Sequence, residues 1–210
     1  DGNLLLFMEK GAIAIWDGNE LNYVIETLEG EETSRFNDVI AAPNGSVFCG
    51  TMSTMENPGT LYRLDPDGSI QPVINGIGIS NGLGFTTDCE WMYYTDSTAH
   101  TIYKYRINPI NGKLSERSVF ITTPINEGIP DGMTVDSENH VWSARWDGWA
   151  LYRYSPDGEQ VNKIDFNTKK VSCPTFAENP LNKERPENSY TDMYVTTAGG
   201  DNPSENGLQA

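Results

Sequence analysis

The chain has 210 residues, with 30 acidic against 14 basic side chains and a formal net charge of -16. That balance disfavours a phosphate backbone as partner, so no nucleic-acid ligand is expected, and no apolar run is long enough to span a bilayer. The length suits a single domain over residues 1–210, and Gly 20 with Pro 12 marks it as turn-rich. Cys49, Cys89 and Cys173 form no CxxC pair, so neither a disulfide framework nor a zinc knuckle is indicated. A reducing, cytoplasmic compartment is the expectation.

Strand signals begin at once. LLLFMEK, AIAIWD and LNYVIE, within residues 1–30, read as three strands of one small sheet. RFNDVIAAP, SVFCGTM, GTLYRLDPDGSI and QPVI then form a four-strand unit, labelled A to D. SNGLGFTTD, WMYYTDS, HTIYKYRINPINGKL and RSVFI repeat it. PDGMTVDSE, HVWSARW, WALYRYSPDGEQV and KIDF repeat it again, and VSCPTFAE with DMYVTTA starts one more. With Thr51, Thr95, Ala144 and Thr197 taken as equivalent, the intervals are 44, 49 and 53 residues.

Repetition at that period, with matched Tyr62, Tyr103 and Tyr152 on the third strands, predicts an all-β fold, a β-propeller with about four and a half blades visible. A β-sandwich would not require the matched tyrosines. A propeller protects its edges by closing, so the two open ends call for further segments or a covering partner.

In a propeller the starts of the A strands converge at one mouth of the central channel. Arg35, Asn37 and Asp38, Asn81, Asp131, and Ser172 with Cys173 occupy those starts, so Asn37, Asn81 and Asp131 are expected to be neighbours. Amide and carboxylate oxygens are hard donors suited to calcium, magnesium or manganese. Gly82 and Gly132 remove bulk where something approaches the backbone closely. Asn-Gly and Asp-Gly pairs are also common turn dipeptides, which is the plainer explanation of each taken alone.

Other residues carry less chemistry. His100 and His140 are assigned to the surface, and Cys49 and Cys173 to buried packing. Trp142 fits between blades, while the loop with Trp146, Asp147 and Trp149 is a candidate lid. Arg35 either orients a substrate or pairs with Asp38.

RFNDVIAAPNGSVFCGTM, ISNGLGFTTDCEWMYYTDS, IPDGMTVDSENHVWSARW and VSCPTF with MYVTTAGG resemble, in order, the gluconolactonase, regucalcin (senescence marker protein) and luciferin-regenerating enzyme family. The resemblance implies a six-bladed propeller holding one divalent cation, calcium or alternatively zinc, manganese or magnesium, and hydrolysing small lactones. By motif, Asn81 and Asp131 match metal ligands, Asp131 also matches the general base, and Arg35 and Asn37 match substrate contacts. The family's first-blade Glu has no counterpart here, which implies a fragment lacking segments at both ends. A related ester or organophosphate hydrolase, and a calcium-binding regulator without catalysis, are the alternatives.

Overall fold

The computed structural model describes residues 2–177 and 192–199. Among the described residues seventeen strands form five antiparallel sheets, with one short 3-10 turn at Ile125–Glu127. The first sheet is β1 (Leu4–Phe7), β2 (Ile13–Trp16) and β3 (Leu21–Ile25). The second is β4 (Phe36–Ala41), β5 (Val47–Thr51), β6 (Gly59–Leu64) and β7 (Ile70–Ile77). The third is β8 (Ser80–Phe85), β9 (Trp91–Asp96), β10 (Thr101–Ile107) and β11 (Leu114–Thr122). The fourth is β12 (Ile129–Val135), β13 (Val141–Trp146), β14 (Ala150–Tyr154) and β15 (Gln160–Asp165). The fifth pairs β16 (Lys170–Ala177) with β17 (Asp192–Ala198). No helix among the described residues is long and apolar enough to cross a membrane.

This is a β-propeller. Each sheet meanders in chain order, and the first strands touch in succession: β4 against β8, β8 against β12, β12 against β16. The apolar cores lie between sheets rather than within them. Phe48 and Leu61 of the second sheet pack with Leu83, Met92 and Tyr105 of the third. Ile102 and Ile121 of the third pack with Met133, Val141 and Tyr154 of the fourth.

Inter-sheet packing explains the matched tyrosines. Tyr62 packs into the core shared by the first two sheets, Tyr103 into that of the second and third, and Tyr152 into that of the third and fourth. Each ring therefore faces the preceding sheet. An aromatic at that place fills the wedge-shaped space between two twisted sheets and supplies much of their shared apolar area.

The ladders correct the alignment read from sequence. Phe36 pairs with Thr51, Ser80 with Asp96, Pro130 with Arg145 and Val171 with Thr197. Thr51 and Thr197 are thus level with Asp96 and Arg145, not with Thr95 and Ala144. The strands β4, β8, β12 and β16 are each bulged at one level: the register slips between Phe36 and Val39, Asn81 and Leu83, Pro130 and Met133, and Val171 and Cys173.

Neighbouring bulges come very close. A Cβ on Gly82 would lie 2.5 Å from the Asp131 carbonyl oxygen, and one on Gly132 would lie 2.7 Å from both the Cys173 sulfur and the Ser172 carbonyl oxygen. Backbone cannot yield as a side-chain tip can. Gly82→Ala is therefore expected to destabilise the fold by about 1–3 kcal/mol through overpacking. Urea unfolding followed by tryptophan fluorescence checks it, and an unchanged midpoint would contradict the close approach.

Candidate cation and substrate site in the channel

The bulges place the polar side chains. A β-bulge leaves a residue unpaired and turns its side chain off the regular alternation. Asn37 and Asp38, Asn81 and Gly82, Asp131 and Gly132, and Ser172 all sit where the first strands slip. Four strands thus present the residues at their slips to one level of the channel.

The connections run from sheet to sheet. Asn37 Nδ2 donates to the Ser80 carbonyl at 2.9 Å, tying β4 to the residue before Asn81. Asn81 Nδ2 donates to Ser97 Oγ at 3.1 Å, and Ser97 Oγ donates to the Pro130 carbonyl at 2.6 Å, the residue before Asp131. The Asn81 amide also lies close enough to the Asp131 carboxyl to lower its pKa. The structure brings Asn37, Asn81 and Asp131 together.

Arg35 stands apart from them. It is exposed, its Nη1 donates to the Phe36 carbonyl at 2.9 Å, and among the described residues no ion pair joins it to Asp38. It borders a cavity of about 430 Å³ shared with Glu9, Lys10, Ser34, Met52 and Thr54. Glu9 and Arg35 are joined there by an isolated bridge between the first two sheets.

Asp38 is the residue that sequence reading undervalued. With Ile40, Leu83, Met133, Val135 and Cys173 it lines a channel cavity of about 380 Å³. Burial pushes its carboxyl up to about 6, against one backbone hydrogen bond from Val39. Burial likewise pushes Asp131 up to about 6, helped by the negative charge of Asp38 and opposed by Asn81 and the Gly132 N–H. No cationic side chain contributes to either shift. Two half-buried carboxyls with amide oxygens beside them, and no Lys or Arg to balance them, fit a divalent cation.

A second carboxylate group lies beyond the other end of β12. Asp136, Glu138 and His140 offer donor atoms within 4.8 Å of one another. Arg153 already fills that place, at 2.6 Å from Asp136 and 2.7 Å from Glu138, and its charge helps hold Asp136 below the usual carboxylate range. Trp142 Nε1 and the His140 N–H add hydrogen bonds to Asp136. A cation there would have to displace a guanidinium, so the chemistry of the donors favours the channel.

Three smaller expectations change. Cys49 is buried, its thiol pushed up to about 12, but Cys173 is exposed and opens onto the channel. His140 is half-buried beside Asp136 rather than free at the surface. The candidate lid is strapped down: the Trp149 N–H donates to the Lys169 carbonyl, and the Trp149 carbonyl accepts from Phe166.

The family model described as the SMP-30/Gluconolactonase/LRE-like region matches residues 1–199. The chain belongs to that family. It is 43% identical over 204 residues to pentonolactonase XacC of Haloferax volcanii, covering 96% of this chain and 65% of that protein. To regucalcin of Xenopus laevis it is 30% identical, covering 89% and 61% of the two chains. The chain therefore spans somewhat less than two thirds of the length of these family relatives. Among solved structures, a luciferin-regenerating enzyme superposes with a TM-score of 0.82 at 26% identity, covering 94% of this chain and 67% of that one. The calcium-binding protein regucalcin of Agrobacterium tumefaciens gives 0.78 at 25% identity, covering 85% and 61%.

The raised carboxyls of this family member have a pH signature. Their folded pKa values lie above the ordinary 3.8, so the native state binds more protons than the unfolded one between about pH 4 and 6. Their contribution to stability is full below pH 4 and is lost as pH rises through 6. In chelator, Asp38→Asn and Asp131→Asn should each gain stability relative to the unmutated chain on going from pH 4.5 to 7.5. Urea unfolding at a series of pH values measures this; a variant-to-parent difference independent of pH would contradict the burial of these charges.

Proposed function

We propose that this chain opens small lactones by hydrolysis with the help of one divalent cation. The observation that carries the reading is the contact between Asn81 and Asp131, from adjacent bulged strands, in a channel where a second carboxyl, Asp38, also lacks a cationic partner. The likeness to a pentonolactonase supports the substrate class.

Asn81 and Asp131 would hold the cation through one amide and one carboxylate oxygen. When bound, the cation would polarise the lactone carbonyl and stabilise the charge that develops on its oxygen. Asp131 would take the proton of the attacking water, a contribution of ~10² to 10⁴-fold for general bases. Burial lifts this carboxyl towards neutrality, which strengthens it as a base, whereas a cation beside it acts in the opposite sense.

The other residues bind and orient. Arg35, exposed at the mouth, would present forked N–H donors to substrate oxygens. Asn37 has its Nδ2 committed to the Ser80 carbonyl, leaving Oδ1 as an acceptor for a substrate hydroxyl. Asp38, deeper in the channel, repels anions and so favours a neutral, hydroxylated ring over an acidic one. A non-catalytic calcium-binding role is the rival, favoured by the likeness to a calcium-binding regucalcin.

Turnover of a five-carbon sugar lactone, followed by acid release, decides between them. Activity should vanish in chelator and return with calcium or manganese. Asp131→Asn should lower kcat by at least ~10²-fold while the melting temperature in chelator does not fall. Full turnover in chelator, or by Asp131→Asn, would remove the proposed mechanism; cation binding without turnover would favour the rival.

A further inference from the structure

Ser97 follows β9 directly, at the level held by Met52 in the second sheet and Trp146 in the fourth. It is 2% exposed. A serine there, where the neighbouring sheets carry large apolar side chains, needs a reason.

Its hydroxyl stands between two of the site residues. Ser97 Oγ lies 3.1 Å from Asn81 Nδ2 and 2.6 Å from the Pro130 carbonyl oxygen. A carbonyl can only accept, so the single hydroxyl hydrogen goes to Pro130. Ser97 must then accept from Asn81, and only the NH₂ end of that amide can donate.

The amide of Asn81 is thereby held in one of its two flips. Its Oδ1 accepts from the Gly82 N–H at 3.2 Å with a lone pair left over, and the same amide lies close enough to the Asp131 carboxyl to hold its pKa down. Without the serine, the flip that points Oδ1 towards the place of Ser97 would lose one of the interactions that oppose it. The bond to Pro130 acts on the other partner. It anchors the peptide just before Asp131, at the point where β12 bulges.

We propose that Ser97 is a positioning residue of the channel site: it fixes the orientation of the Asn81 amide and ties it to the backbone of Asp131, so that both oxygens face one divalent cation. The inference rests on the cation reading of the preceding subsection. Residues that orient ligands through a hydrogen bond typically change metal affinity by about 10 to 100-fold when removed.

Calorimetric titration of Ca²⁺ into the metal-free chain, Ser97→Ala, Ser97→Thr and Asp131→Asn tests it. Ser97→Ala should bind Ca²⁺ at least tenfold more weakly, and Ser97→Thr, which keeps the hydroxyl, should return to within about threefold of the parent. Ser97→Ala binding as tightly as the parent, or Ser97→Thr as weakly as Ser97→Ala, would overturn the positioning role. Should Ser97→Ala fail to fold, Ser97→Cys, whose thiol fills the space but hydrogen-bonds weakly, carries the same comparison. Undiminished binding by Asp131→Asn, or none by the parent chain, would overturn the cation reading and this inference with it.

Discussion

The close approach of neighbouring first strands governs this molecule. Where β8, β12 and β16 meet, backbone and side-chain atoms sit so near that Gly82 and Gly132 have no room for a Cβ. Regular pleated strands would alternate their side chains between the two flanking sheets and leave the channel lined by whatever fell there. A bulge at the same level of each strand breaks that alternation and turns the unpaired residue towards the axis. Fold and site therefore share one cause. The slip that lets the strands crowd together also frees Asn37 and Asp131 from the ladder and sets Asn81 at its edge.

Much of the fold was legible because it is repeated. Four first strands, four second strands and three tyrosine-bearing third strands recur in order, and a pattern seen several times outweighs the ambiguity of each short apolar run. What the repeats could not give was register. Similar composition along the second strands does not fix their level: Asp96 and Arg145, not Thr95 and Ala144, lie level with Thr51. The convergence of Asn37, Asn81 and Asp131 was readable from their places at strand starts. Asp38 was not: next to Arg35 in sequence, it suggests an ion pair, yet the intervening bulge sends the two side chains to different cavities. Ser97 was equally hidden, since its importance lies in a bond to a residue 33 positions away.

Charge compensation separates the two carboxylate groups along β12. Asp136 has an arginine, an indole N–H and a backbone N–H around it, and its pKa is held low. Asp131 has an amide, a backbone N–H and another buried acid nearby, and its value is pushed up to about 6. A group whose negative charge is already neutralised has little to gain from a metal ion. One whose charge is buried and unbalanced gains a great deal, because the low-dielectric surroundings that penalise the lone anion also strengthen its attraction to a cation.

The same unbalanced charge bears on how one carboxylate could serve two purposes. A ligand should be ionised and a general base should be eager for a proton, and a cation pulls Asp131 towards the first while burial pulls it towards the second. Asp38 tilts that contest. Its charge lies close enough to raise Asp131, yet it belongs to a different strand and lines the cavity beneath. It can offset part of the cation's pull without occupying the same position. On the proposed reading, a channel with one carboxyl would have to choose between holding an ion and accepting a proton; a second, set apart by a separate bulge, would help keep the first basic enough to do both.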